Sequence, residues 1–146
     1  MKILLLTTTL VCATAVVANA ETFTVTGTSQ IVNQVTAMNG GRASFGAYVT
    51  GTGETVFAAG KKSTVKFSCM QWSAAPGSNF SSEGVCNNED SGGAYSILFS
   101  CETSDCWGKL VGTSAGYANK TGTASWHTTG DPKQKTSTFS VTGQWN

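Results

Sequence analysis

The chain is short of charge. Asp, Glu, Lys and Arg make up 12% of its 146 residues, and His127 is the single histidine. No basic stripe runs along it, which argues against nucleic acid and an anionic membrane as partners. Only two prolines occur. No linker composition appears, so a second domain has no visible boundary. No window of helical length repeats apolar residues at i, i+3, i+4 and i+7, which removes amphipathic helices from the reading. Past residue 20, no apolar run is long enough to cross a bilayer as a helix. No Cys-x-x-Cys occurs, and one histidine with widely spaced cysteines does not make a zinc set. Neither a metal nor a cofactor is expected.

The first twenty residues read as a leader. Lys2 is its positive start, Ile3 to Val17 is apolar and broken only by threonines, and Ala18-Asn19-Ala20 places small residues for cleavage after Ala20. Cys12 is expected to leave with the leader, because Val11 before it is too large for a lipid-modification site. The remaining 126 residues, 21–146, are enough for one domain with its own core. Without Lys2, eight basic residues face eight acidic ones, so the formal net charge is zero. The expected location is secreted or periplasmic, with no membrane association once the leader is gone.

Glycine, threonine and serine dominate what remains, a composition for strands and tight turns. Thr22–Thr26 alternates with Phe23 and Val25 on one face. Strand-like runs follow at Gln30–Met38, Ala43–Thr50 and Thr55–Ala58, separated by Asn39-Gly40-Gly41 and by Gly51-Thr-Gly-Glu54. Ser63–Trp72 is the clearest strand, with Val65, Phe67 and Cys69 opposite Lys66, Met70 and Trp72. Glu83–Asn87, Ala94–Cys101, Trp107–Val111, Thr121–His127 and Lys135–Trp145 complete the series. Strands every dozen residues or so are the all-β rhythm. Consecutive hairpins predict a meander, and closure would hide its edges. The expected fold is therefore all-β, an antiparallel up-and-down barrel of about eight strands.

Four cysteines remain after the leader: Cys69, Cys86, Cys101 and Cys106. In an exported domain they read as two disulfides. Four cysteines allow three pairings. Folding the hairpin around Ser73–Ser82 evenly sets Trp72 against Glu83 and Cys69 against Cys86. Turning about Thr103-Ser104 sets Cys101 against Cys106. Directly opposed strand residues come within disulfide reach, so Cys69–Cys86 and Cys101–Cys106 are the expected bonds.

The stretch Leu110–Trp126 combines a glycine-rich turn, an aromatic–small step at Tyr117-Ala118 and a Gly-x-x-x-aromatic strand from Gly122 to Trp126. It resembles a segment of the allene oxide cyclase and dirigent-type β-barrels, and the likeness extends over roughly Cys101–His127. Small secreted members of that superfamily have no assigned role. The resemblance implies an eight-stranded antiparallel barrel with an apolar cavity, often a homotrimer. It carries no catalytic residue across, and the paired cysteines set this chain apart from the plant enzymes.

Several motifs invite chemistry. Gly112-Thr-Ser114-Ala-Gly116 matches the nucleophile-elbow string, but no helix follows and no acid stands between Ser114 and His127; a structural turn is expected. His127, a strand-end residue, is the one imidazole base on offer. Asn87-Asn-Glu89-Asp90-Ser-Gly-Gly93 gathers oxygen ligands but lacks calcium-loop order, and reads as a polar turn. Asn79-Phe-Ser81 and Asn119-Lys-Thr121 are glycosylation strings.

The surplus is aromatic. Four Trp, three Tyr and seven Phe accompany few charges, which suits an apolar pocket with a few polar handles. Tyr95, Trp107, Tyr117 and Trp126 are the expected ligand-binding set. The first functional expectation is an exported barrel that binds a small apolar molecule without catalysis. The alternative is a structural or surface-interaction protein with a filled core and an exposed aromatic patch. An isomerase- or cyclase-like barrel enzyme ranks third, because nearly all acidic residues fall in expected loops.

Overall fold

Alternating apolar and polar residues become eight antiparallel strands that pair in chain order and close into a barrel. The computed structural model describes residues 20–39, 41–131 and 134–146. Residues 1–19, on which the leader and Cys12 readings rest, lie outside the described residues, as does Gly40. The strands are β1 (Glu21–Asn39), β2 (Arg42–Phe57), β3 (Lys62–Ser73), β4 (Ser82–Asp90), β5 (Gly93–Glu102), β6 (Asp105–Gly112), β7 (Thr121–Asp131) and β8 (Thr136–Trp145). A single 3₁₀ turn, Ala115–Tyr117, joins β6 to β7. The up-and-down barrel expected from the strand rhythm is the one found.

Two pairs of expected strands merge. Thr22–Thr26 and Gln30–Met38 are one strand through Gly27. Ala43–Thr50 and Thr55–Ala58 are one strand through Gly51 and Gly53. These glycines are not breaks. A Cβ on Gly27 would stand 2.7 Å from Cζ of Phe139, and one on Gly51 would be 2.7 Å from Cε1 of Phe67. Each glycine leaves the interior space that a phenyl ring from another strand fills.

The expected hairpin registers hold. Trp72 lies opposite Glu83 and Cys69 opposite Cys86, and Cys101 lies opposite Cys106. Both disulfides, Cys69–Cys86 and Cys101–Cys106, are formed. Such bonds belong to an oxidising, extracellular-type environment.

The two ends of the barrel differ. At one end the start of β1 and the end of β8 meet the 3₁₀ turn over a buried cluster of Phe23, Phe57, Tyr95, Tyr117 and Trp145. At the other end lie the β3–β4 loop, the Thr103-Ser104 turn and the β1–β2 hairpin. Pairing of β1 with β8 stops at Gln30–Thr136, whereas pairing with β2 continues to Asn39–Arg42. The hairpin thus projects beyond the barrel after a register shift between Ile31 and Asn33. The extra residue bends the strand there.

Candidate functional site

Strand alternation sends one set of side chains inward, and in a barrel of eight strands that set either fills the interior or leaves room for one small ligand. Here it leaves a cavity of about 240 Å³. Its walls are mainly apolar: Val25, Val65, Phe67, Ile97, Phe99 and Phe139 all face it. Both disulfides belong to the wall. They form one core cluster with Phe99, against which Val49 and Trp126 pack. The lining reaches Ser29, Thr103, Ser104 and Ser137 at the hairpin end of the barrel.

The opposite end is plugged by stacked rings. Tyr117 and Trp145 lie 4.8 Å apart between centroids, and Tyr95 meets Trp145 edge-on at 5.2 Å. Tyr95 and Tyr117 are 5.0 Å apart. These rings seal the floor of the cavity, with edge-to-face contacts that suit their quadrupoles. Beneath them, Tyr117 Oη donates to Asp90 Oδ2 at 2.8 Å, and Asp90 Oδ1 accepts the Gly92 N–H at 2.7 Å. Burial pushes both phenols well above the ordinary tyrosine value. For Tyr117 the hydrogen bond to the Asp90 carboxylate and that carboxylate's charge add to the burial effect, and for Tyr95 the Asp90 charge alone does.

The cavity has a few polar handles. Asn88 Nδ2 lies 3.4 Å from both the Cys86 and the Tyr95 carbonyl oxygens. Gln71 Nε2 donates to Ser82 Oγ at 2.8 Å near the rim. Among the described residues the lining holds no Asp, Glu, Lys, Arg or His side chain, and its one phenol is that of Tyr95.

The four expected ligand-binding aromatics do not form one set. Tyr95 lies at the floor of the cavity and Trp126 on its wall, 5.3 Å from the Phe99 ring. Tyr117 sits behind Tyr95 as part of the plug. Trp107 points the other way, onto the outer face, and is 47% exposed. Its neighbour Cys106 bridges inward, and adjacent strand residues face opposite sides. Phe67, Ile97, Phe139 and Val141 complete the wall without having been expected there as site residues. Their signal was inward phase with Cys69, Phe99 and Gly143.

The chemistry-bearing motifs resolve into structure. Ser114 Oγ accepts the Ala94 N–H at 3.1 Å, and its carbonyl accepts from Tyr117 N–H at 3.2 Å. It is therefore a turn residue beside a short 3₁₀ segment. The left-handed positions near it are Ala115 and Asn119, whereas Gly112 serves close packing. A Cβ there would collide with the Tyr117 carbonyl oxygen. In the Asn87–Gly93 stretch, Asn88 is buried while Asn87 and Glu89 are exposed, so alternation separates the oxygens onto opposite faces. His127 Nδ1 lies 2.7 Å from Asp105 Oδ1 across β6 and β7, with both side chains more than half exposed. That hydrogen-bonded pair joins opposed residues of the register; nothing in the turn-based reading pointed to it. Asn79 and Asn119 are both exposed.

No protein-family model matches the chain, and no curated protein matches it.

Proposed function

We propose that the protein is an exported, secreted or periplasmic, non-catalytic carrier of a small apolar molecule, held inside the barrel. One observation carries this reading: an apolar cavity of about 240 Å³ whose floor is sealed by aromatic rings and whose lining reaches the far end. Pockets for drug-sized ligands start at about 300 Å³, whereas an apolar cavity of about 150 Å³ already takes benzene. The occupant is therefore small, on the order of ten non-hydrogen atoms. The apolar interior implied by the cyclase and dirigent resemblance supports the same reading, without supplying an activity.

The ligand's binding free energy comes from leaving water for a wall of Val, Ile and Phe, at about 25 cal/mol per Å² of apolar surface. Asn88 and Gln71 orient a single polar group at most. Toluene serves as the probe. Thermal unfolding of the wild type is expected to shift upward with toluene, accompanied by a change in Trp126 emission. Val49→Phe fills the cavity from β2, and its unfolding temperature should not respond to toluene while its circular dichroism stays that of the wild type. A wild-type protein indifferent to toluene and to linear alcohols of similar size would sink the reading.

A further inference from the structure

The outward positions of the strands fall into rows that the register defines. One row runs Tyr48, Met70, Val85, Leu98 and Lys109 from β2 to β6. The adjacent row runs Gly46, Trp72, Glu83, Ser100 and Trp107. Large apolar side chains therefore share one side of the barrel, and they are not covered. Leu98 is 56% exposed, Met70 51%, Trp107 47% and Trp72 43%. Phe80 extends the patch from the β3–β4 loop. Together they border a surface groove of about 1150 Å³. The outward positions of β1, β8 and the far part of β7 are different: Thr24, Thr26, Thr129, Thr138 and Ser140 give that half a hydroxyl coat.

We propose that the apolar face is covered by a second copy of this chain, in a two-fold dimer centred on Leu98. Area supports that occupant. With aromatic side chains of about 150–250 Å² each, the exposed apolar surface of the patch is on the order of 600 Å². A stable interface takes about 800 Å² from each partner, and Thr123 and Ser125 on β7, beside Lys109 and Trp107, supply a polar rim. Charge supports it too. The patch holds one acid, Glu83 on β4, and one base, Lys109 on β6, on either side of β5. Among the described residues neither forms an ion pair. A face with one charge of each sign about its centre is self-complementary, so a two-fold operation brings Glu83 of each copy toward Lys109 of the other. Met70 and Leu98 provide the pliable aliphatic surface that interface cores favour. The proposal does not depend on the interior cavity, because outward and inward side chains belong to opposite faces of the same strands.

Sedimentation velocity at micromolar concentration tests it on the full disulfide-bonded domain. The wild type should sediment as a dimer. Leu98→Arg should weaken association by more than about tenfold with unchanged circular dichroism, since the residue is exposed and its loss leaves the core intact. Thr138→Arg, on the hydroxyl-coated half, should leave the dimer as it is. Glu83→Lys and Lys109→Glu should each weaken the dimer, and the double reversal should restore it. A wild-type monomer or trimer overturns the proposal, as does a dimer that Leu98→Arg leaves intact. A monomer whose tryptophan emission shifts on mixing with phosphatidylcholine vesicles overturns it in favour of a lipid surface.

Discussion

Tyr117 donates its phenolic hydrogen to Asp90 at 2.8 Å, tying the β6–β7 connection to the end of β4 across 27 residues of chain. That bond sits under the aromatic plug, so the phenol of Tyr117, like that of Tyr95, resists ionisation. The sign of the consequence follows from linkage. Both folded-state values lie above the unfolded one, which is about 10. Their contribution is fully present below that pH and is lost as pH rises beyond it, because the unfolded chain then releases protons that the folded one keeps. Stability is expected to fall above about pH 10, by up to about 1.4 kcal/mol per pH unit for each tyrosine. Urea midpoints at pH 8, 10 and 11 measure it. Tyr117→Phe should be less stable at pH 8, having left Asp90 Oδ2 without its phenol donor, yet lose less on going to pH 11. An alkaline slope equal to that of the wild type would show that the plug is not what titrates.

Gly112 and Ser114 share one motif and should respond to substitution by very different amounts. Gly112 packs against the backbone of Tyr117, so Gly112→Val sets its Cβ into a backbone carbonyl, which has no rotamer to escape by. The expected loss is about 3 kcal/mol or more. Ser114→Ala removes one exposed hydrogen bond to Ala94, at a cost of about 1 kcal/mol or less. Toluene binding should survive Ser114→Ala. A Ser114→Ala variant that folds normally but loses binding would move the functional site to the turn.

Much of the fold was legible because the chain alternates so cleanly. Val65, Phe67 and Cys69 against Lys66, Met70 and Trp72 sorts β3 into its two faces, and even folding of the next two hairpins sets both disulfides. Length was harder to read. Gly27 and Gly51 look like breaks in one dimension, and only the rings of Phe139 and Phe67, distant in sequence, show that they are fillable gaps in continuous strands. The cavity lining was half legible. Of the four expected aromatics Tyr95 and Trp126 line it, but β6 presents Trp107, Lys109 and Val111 on one face and Cys106, Gly108 and Leu110 on the other. Apolar weight does not distinguish those faces. The inward Cys106 bridge does, and it places Trp107 outside.

The two disulfides should contribute unequally. Cys69–Cys86 spans 17 residues and Cys101–Cys106 spans 5. If each acts by restricting the unfolded chain, loop closure gives about 3 kcal/mol for the first and about 2 kcal/mol for the second. Both bonds lie in the same buried cluster. Replacing either pair by alanine therefore removes similar sulfur volume from similar surroundings, and that loss largely cancels in the comparison. The Cys69→Ala/Cys86→Ala variant should be the less stable of the two by about 1 kcal/mol, read as a lower urea midpoint at matched slope. Against a total stability of roughly 5–15 kcal/mol, either loss is measurable without abolishing the fold. The loop argument fails if the Cys101→Ala/Cys106→Ala variant is the weaker one. In that case the short bond would be acting in the folded barrel, holding the Thr103-Ser104 turn at the end of the cavity, and toluene binding would weaken in that variant first.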